Sequence, residues 1–523
     1  MPVTVNKLDY IYKKLLNEVK SKMNDTVEIS DEEYGIIYGG NDEPVVDPSE
    51  EHDYSKDYLT FEALEDNCKI TFLGNYIKEI KYSLNNGLTW NTLNSNEYII
   101  LNNHEIAYFY NENDSELYES DSNYGYCHFY SKNKFNVYGN ILSLYNFNKN
   151  LLKNIFSGLF ENCINLIDAS NLLLPATTLA EWCYTKMFYG CTSLAKAPEL
   201  PATTLAKNCY TKMFSGCTSL TNAPKTLPAT TLAESCYYNM FENCSSLKIA
   251  PELSATTLAK TCYSRMFCGC TSLTTAPKIL PATTLAYSCY SAMFGYCSSL
   301  TTPPKLPATT LSQNCYSGMF YGCTSLTTAP ELPATTLAEW CYNEMFYGCT
   351  SLTTAPELPA TTLAQYCYCE MFHGCTSLTT APELPATTLA QYCYSGMFSL
   401  CTALSKAPEL PATTLVEWCY NEMFIGCTSL TKSSELPATK LVRECYSGMF
   451  YGCASLNYIK CLANDISAYD CMEDWVYNVS SSGTFVKLQG IEFKIGPSEI
   501  PQGWIVQELD PETGEIVNEY IAE

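Results

Sequence analysis

The chain repeats itself every 26 or 27 residues over most of its length. One unit, residues 174–199, reads LPATTLAEWCYTKMFYGCTSLAKAPE, and eleven such units run from about residue 174 to about residue 460. A unit of this size cannot bury its own apolar face, so neighbouring units must stack and share one core. The period therefore predicts a solenoid for this part of the chain.

Each unit contains a segment in which apolar residues recur at every fourth position. In the first unit these are Leu179, Cys183 and Met187. Such spacing places them on one face of a short helix, and Gly190 follows where a helix often ends in the left-handed conformation. Further along, Pro198 prevents a long regular strand. The repeat therefore predicts an α+β fold in which short helices alternate with short extended segments.

Two insertions and two irregular ends refine this prediction. Thr226 and Ile279 each lengthen a unit by one residue between its Ala-Pro-Lys and Leu-Pro segments, so we expect an external loop there. The stretch 155–163, IFSGLFENC, is a degenerate first unit, and the segment that begins at Cys471 is a degenerate last one. Together they predict a capped solenoid of about 13 coils over residues 148–480.

The fixed positions of the unit carry a family resemblance. Phe188, Gly190, Cys191 and Leu194 recur in nearly every unit, within the pattern LPATTLA..CY..MF.GCTSLT.APE. This pattern resembles the BspA-like leucine-rich repeats over about 320 residues, although Cys183-Tyr184 stands where an aliphatic-Gly pair is common in that family. The resemblance implies a leucine-rich-repeat solenoid that binds a partner rather than catalyses a reaction. Similar arrays occur in gut bacteria, where such proteins adhere at cell surfaces, and in their tailed phages, including crAss-like phages.

The chain has 29 cysteines, and 22 of them follow the period of the repeat. Three roles are open to them: small buried apolar residues, disulfides or zinc ligands. Equivalent residues of stacked coils lie roughly 4.8 Å apart, whereas the Cβ atoms of a disulfide lie nearer about 3.8 Å, so bridges in register would be strained. We therefore expect reduced, buried thiols and no metal. One local group has suggestive zinc ligands: Cys367, Cys369, His373 and Cys375.

The N-terminal part of the chain differs from the repeat. Residues 1–24 predict an amphipathic helix, and residues 25–57 an acidic linker. We expect the apolar stripe of the helix to anchor the protein to another chain, with packing on its own chain as the alternative. The residues of this stripe are Leu8, Ile11, Leu15, Leu16 and Val19.

Residues 58–147 predict a small antiparallel β domain, because six short β-prone segments alternate there with Asn/Gly turns. Within it, the stretch from Ser83 to Trp90 resembles the Asp-box hairpin, which recurs in sialidases. A role of this domain in carbohydrate binding is one alternative. Residues 481–523 predict strands that close the solenoid, followed by an acidic tail.

One pair of positions in the unit varies widely in residue type, which indicates contact with solvent. Aromatic side chains fill its second position in five units. Exposed aromatic residues anchor many binding partners, so these residues are candidates for ligand binding, and packing against neighbouring coils is the alternative. They are Trp182, Trp340, Tyr366, Tyr392 and Trp418.

Composition narrows the class of function. The formal net charge of −25 argues against nucleic-acid binding and against docking on an anionic membrane. The first 23 residues mix charged and apolar side chains, so we expect no secretory signal peptide, and no apolar run is long enough for membrane insertion. Only four histidines occur, and no nucleotide-binding motif is present, so a glycan-cleaving enzyme is a minor alternative.

These observations predict a non-enzymatic structural protein of a phage virion, without cofactors. We expect a fibre or appendage whose solenoid binds a glycan or protein of the host surface and whose N-terminus contacts other virion proteins. A homo-oligomer is compatible with the anchor helix. The alternative is a bacterial cell-surface or secreted adhesin of the same repeat family.

Overall fold

A computed structural model describes residues 57–112 and 127–523. The predicted anchor helix, its stripe from Leu8 to Val19 and nearly all of the acidic linker lie outside the described residues and remain predictions. Within the described ranges no helix has the length and apolar character needed to cross a bilayer.

The first part of the described chain forms two packed sheets. One has the strand order β4-β3-β6-β1-β8-β9 and the other the order β5-β2-β7. The rings of Phe61 on β1 and Phe129 on β7 lie 4.8 Å apart and join the two sheets. The strands are β1 (Leu59–Ala63), β2 (Cys68–Gly74), β3 (Glu79–Ser83), β4 (Asn91–Asn94), β5 (Tyr98–Leu101), β6 (Ile106–Tyr110), β7 (Cys127–Ser131), β8 (Phe135–Asn140) and β9 (Leu172–Leu173).

Six of these strands lie on the six predicted segments, and all pairs among β1–β8 are antiparallel. Sequence patterns missed β4 and β7. Only Leu93 of β4 is buried, so this strand has no alternating apolar pattern. A 3₁₀ helix, Ile141–Tyr145, follows β8, and β8 then pairs in parallel with β9, which leads the first sheet directly into the repeat.

The prediction of a short helix in each unit is wrong. The segment is a run of turns in which alternate backbone N–H groups bond within the coil and to the next coil. Cys183 N–H donates to the Ala180 carbonyl at 3.4 Å, whereas Tyr184 N–H donates to the carbonyl of Cys209 at 2.9 Å. An α-helix would direct every N–H to a carbonyl of its own segment. The described ranges contain no α-helix, so the α+β class is corrected to strands and turns in stacked coils.

The burial pattern predicted from the four-residue spacing nevertheless holds. Cys183 and Met187 are fully buried, and Leu179 is 6% exposed. The turns preserve this period because every fourth residue has a positive φ, including Trp182 (60°), Lys186 (54°) and Gly190 (70°). The left-handed conformation predicted for Gly190 is therefore present, although it belongs to a turn and not to a helix end.

Two columns of aromatic rings fill the core of the coils. Tyr184 and its ten equivalents stack with centroids 5.5–6.0 Å apart. Phe188 and its equivalents form a parallel buried stack with spacings of 5.3–5.8 Å. One apolar cluster extends from Leu59 to Ala522, so the β domain and the coils share a core.

The loops and the C-terminal end complete the structure. Thr226 and Ile279 are exposed, as expected for insertions at an outer edge of the coils. The predicted loop is wrong in one respect, because both residues pair with the next coil: Thr226 pairs with Glu252 in two short strands, and Ile279 forms a single bridge with Lys305. The end of the chain is a five-stranded sheet in the order β12-β13-β14-β15-β16. The predicted acidic tail is partly wrong, because it contains the edge strand β16. The remaining strands are β10 (Thr226–Leu227), β11 (Glu252–Leu253), β12 (Lys432–Leu436), β13 (Tyr458–Cys461), β14 (Thr484–Leu488), β15 (Ile505–Leu509) and β16 (Ile516–Ile521).

Candidate functional site

Four of the five candidate aromatic residues form one stacked ladder on the coil surface. The ring centroids of Trp340 and Tyr366 lie 3.8 Å apart, those of Tyr366 and Tyr392 4.5 Å, and those of Tyr392 and Trp418 4.9 Å. All three pairs are within 9° of parallel. At the C-terminal end, the Arg443 guanidinium lies 4.8 Å from the Trp418 ring centre as a cation–π contact. We call these four rings the surface ladder.

The surface ladder presents ring edges, because the interior ring faces cover one another. Each of its four residues is half-buried. A polar row runs beside it: Gln365 donates to Gln391 at 3.4 Å, and Gln391 donates to Glu417 at 3.2 Å. The ladder can therefore offer edges and amide groups to a ligand, while stacking of a sugar ring on an interior aromatic face is blocked.

Trp182 lies apart from the surface ladder. Its equivalents in the adjacent coils are Asn154 and Asn208, which provide no aromatic ring. Trp182 is half-buried and has the same left-handed backbone as the ladder residues, with φ of 60°. The structure therefore separates the five candidates into a group of four and one isolated residue.

The left-handed backbone of the ladder positions was not evident from the sequence. Trp340, Tyr366, Tyr392 and Trp418 have φ between 56° and 58°. This conformation costs an L-residue roughly 1–2 kcal/mol. Hydrogen bonds between coils offset it, since the N–H of Trp340 reaches the Gln365 carbonyl and that of Tyr366 the Gln391 carbonyl, both at 3.1 Å.

A second aromatic column and an acidic row occupy the same coils. Tyr321, Tyr347 and His373 stack at 4.6 and 4.3 Å. Burial lowers the pKa of His373, which favours its neutral form. Burial, and then the negative charges of Glu344 and Glu422, raise the pKa of Glu370. Residues 306–405 contain no Lys or Arg, so these coils supply no fixed positive charge of their own.

All 29 cysteines are free and buried, and the burial of the 22 repeat cysteines confirms that prediction. The second cysteine of each unit has a role that sequence analysis missed: its thiol donates to the carbonyl of a phenylalanine in the preceding coil, or in β7 for Cys163, at 3.0–3.2 Å. A sequence signal existed, because this slot is Cys in every unit from residue 163 to residue 453, whereas the first slot accepts Ile155. Burial raises the pKa of these thiols, for example that of Cys401 to about 12.

The local group with suggestive zinc ligands does not form a metal site. In the described part of the chain, no cluster of three or more His, Cys, Asp or Glu side chains is arranged to hold a metal ion. Cys367 and Cys375 are fully buried in the core, and Cys369 is 8% exposed. His373 belongs to the second aromatic column.

The hairpin that resembles an Asp-box is held by its own side chains. Ser83 Oγ accepts the N–H of Gly87 at 2.9 Å, and Asn85 Oδ1 accepts the N–H of Thr89 at 2.9 Å. Trp90 packs edge-on against Tyr58 with centroids 4.8 Å apart. These contacts give the motif a structural role in this domain.

These features define a class: a solenoid of stacked coils with an invariant core and variable surface slots. The model of the BspA type leucine-rich repeat region matches overlapping segments between residues 131 and 471, in six copies. The chain therefore belongs to the BspA-type leucine-rich repeat family, whose fold typically serves binding or scaffolding and not catalysis. No curated protein matches the chain.

Two solved structures are similar to the chain. A leucine-rich repeat protein from Bacteroides ovatus is 18% identical, with a TM-score of 0.31, over 64% of this chain and 82% of that one. A leucine-rich repeat protein from T. pallidum is 18% identical, with a TM-score of 0.18, over 51% of this chain and 83% of that one.

Proposed function

We propose that this protein is a non-enzymatic binding protein whose solenoid presents the surface ladder to a glycan or protein of a host surface. The observation that carries the proposal is the stacking of Trp340, Tyr366, Tyr392 and Trp418 in slots that vary between units. Stacking fixes the rings before a ligand arrives, so little side-chain entropy is lost on binding. The amides of Gln365 and Gln391 supply hydrogen bonds beside the rings.

Binding is tested by removing the two central rings of the surface ladder. The double variant Tyr366→Ala/Tyr392→Ala should lower adhesion of the purified protein to host cells by about tenfold or more, as expected for aromatic anchors. The control variant Tyr321→Ala/Tyr347→Ala removes two stacked rings of the second column in neighbouring coils and should bind almost normally. Equal adhesion of both variants and the parent protein would contradict the proposal.

We further propose that the protein is a fibre or appendage of a phage virion, with a bacterial surface adhesin as the alternative. Support comes from the likeness of the LPATTL and GCTSLT segments to arrays of gut bacteria and their tailed phages. Mass spectrometry of purified virions and of host surface fractions separates the two. Peptides of this chain should be abundant in virions, and their presence in uninfected cell surfaces alone would favour the adhesin.

The N-terminal stripe is proposed to contact other virion proteins or a second copy of the chain. Deletion of residues 1–24 should leave the repeat folded but abolish incorporation into the particle or the oligomeric state. Size-exclusion chromatography, together with particle composition, measures both. Normal incorporation of the truncated protein would show that the stripe is not the anchor.

A further inference from the structure

One outer edge of the solenoid reverses the sign of its charge halfway along the stack. In four consecutive coils the edge segments contain four Lys and one Glu, at residues 221–226, 248–252, 274–279 and 301–305. In the next four coils they contain one Lys and four Glu, at residues 327–331, 353–357, 379–383 and 405–409. Parallel bridges, such as those of Ile279 with Lys305 and of Thr328 with Thr354, align these segments in one row. We call this row the charged edge.

The charges on both sides of the reversal are exposed and have no partner of opposite charge in their own chain. Lys278, Lys305, Glu331 and Glu357 are all exposed. In the described part of the chain none of these four side chains forms an ion pair. A surface region whose charge is not compensated attracts a region of the opposite sign. The charged edge therefore carries a basic half and an acidic half that each favour the other.

Apolar surface lies among these charges. Ile249 is 63% exposed and Ile279 is 41% exposed in the basic half. Pro359 is exposed in the acidic half. A cleft of about 350 Å³ lies where the sign reverses, between residues 302–307 and 328–333. Exposed apolar surface with a charged border is typical of contacts between proteins, so the charged edge suits a protein partner.

We propose that the charged edge binds a second copy of this chain, antiparallel to the first, about a twofold axis between the coils of Lys305 and Glu331. In this arrangement Lys305 of one copy faces Glu331 of the other, and Lys278 faces Glu357 one coil further out. Twofold symmetry forms each of these ion pairs twice. The cleft at the reversal of sign lies at the axis. The surface ladder takes no part, and the inference does not depend on the proposed function.

The order of the charges selects this register over its neighbours. A shift of the axis by half a coil in one direction would place Lys305 opposite Lys305 of the second copy, and the opposite shift would do the same for Glu331. Like charges placed directly opposite each other repel. The proposed register has one such pair, Glu252 with Glu383, and Lys248 lies in the same edge segment as Glu252 and opposes its charge.

Charge reversal on either half of the edge tests the proposal in the full chain. The variant Lys278→Glu/Lys305→Glu makes the centre of the edge acidic, and the variant Glu331→Lys/Glu357→Lys makes it basic. Each should raise the dimer dissociation constant, measured by sedimentation equilibrium, by about tenfold or more, because the central ion pairs become contacts between like charges. The substituted residues are exposed, so the melting temperatures should stay close to that of the parent protein.

The two variants also serve as controls for each other. Mixed in equal amounts they should form a heterodimer at least as tight as the parent dimer, since Lys and Glu then face each other at all of these positions. The fourfold variant K278E/K305E/E331K/E357K keeps the net charge of the parent protein and should dimerise as the parent does. A fourfold variant that associates no more tightly than the double variants would show a net-charge effect and overturn the proposal.

Two further results would also overturn it. One is a parent protein that stays monomeric at every concentration reached. The other is a dimer that neither double variant weakens, which would assign the association to another surface, such as the N-terminal stripe that all of these variants retain.

Discussion

At the residue scale, the two cysteines of each coil are buried equally but have different roles. Cys349 donates its thiol proton to the Phe320 carbonyl at 3.1 Å. Cys341, in the first slot of the same coil, donates no thiol hydrogen bond to a carbonyl among the described contacts, and Ile155 fills this slot in the first unit. Other first-slot thiols reach a carbonyl only at long range, 3.9 Å for Cys393 and 3.8 Å for Cys445. The first slot therefore requires mainly apolar volume, and the second requires a small donor.

Valine and serine substitutions should lower the unfolding free energy in opposite order at these two positions. Cys341→Val should be tolerated better than Cys341→Ser, because serine would bury a hydroxyl in an apolar slot. Cys349→Ser should be tolerated better than Cys349→Val, because serine keeps a donor for the carbonyl, with a difference of about 1 kcal/mol in unfolding free energy. Urea denaturation of the four variants measures the order. The same order at both positions would show that the thiol hydrogen bond contributes nothing.

At the element scale, the turn segment shows where sequence reasoning succeeds and where it fails. The four-residue spacing of Leu179, Cys183 and Met187 identifies the buried side of either a helix or this run of turns, so it predicts the buried residues correctly. It does not identify the hydrogen-bond partner, because that partner is in the next coil. The residues with left-handed backbone could not be predicted for the same reason. Trp340 and Tyr366 have positive φ, and their backbone N–H groups donate to carbonyls of the next coil, which stabilises this conformation.

The slot of Gly190 offers a direct test of this strain. Leu400 occupies the equivalent position with φ of 60° and is 44% exposed, so its side chain contributes little burial. Leu400→Gly should raise the unfolding free energy by about 0.5–1 kcal/mol, since relief of left-handed strain exceeds the entropic cost of glycine. The control Ala403→Gly, in the same coil at a residue whose φ is not positive, should lower it by about 0.5–1 kcal/mol. A loss of stability in both variants would contradict the strain argument.

At the scale of the whole molecule, the period alone was enough to predict stacked coils, buried cysteines and the exposure of Thr226 and Ile279. It was not enough to predict the surface ladder. Trp340 and Tyr366 lie one period apart, but whether their rings stack or turn toward solvent depends on the backbone conformation of the slot. Trp182 shows this limit, because it has the same residue type as Trp340 and a similar φ but no aromatic neighbour in the equivalent slots of the adjacent coils.

The stacked core also couples folding to the protonation of many thiols. Burial raises the pKa of Cys393, Cys401 and Cys453 to about 12, and it raises the pKa values of the other repeat cysteines and of the Tyr184 column as well. In the unfolded chain the pKa of a cysteine thiol is about 8.5. Between these values the unfolded chain releases protons that the folded chain keeps.

The protein should therefore unfold sharply at alkaline pH. Because the unfolded state binds fewer protons above about pH 8.5, stability falls as pH rises, and each buried thiol changes the folding equilibrium by about tenfold per pH unit. The loss of stability should begin at about pH 9 and be complete well below about pH 12, because many thiols act together. Melting temperatures measured with reductant from about pH 7 to about pH 11 test this, and replacing Cys341, Cys367, Cys393 and Cys419 by Val should move the transition to higher pH. A melting temperature that stays constant from about pH 8 to about pH 11 would show that the thiols do not control stability in this range.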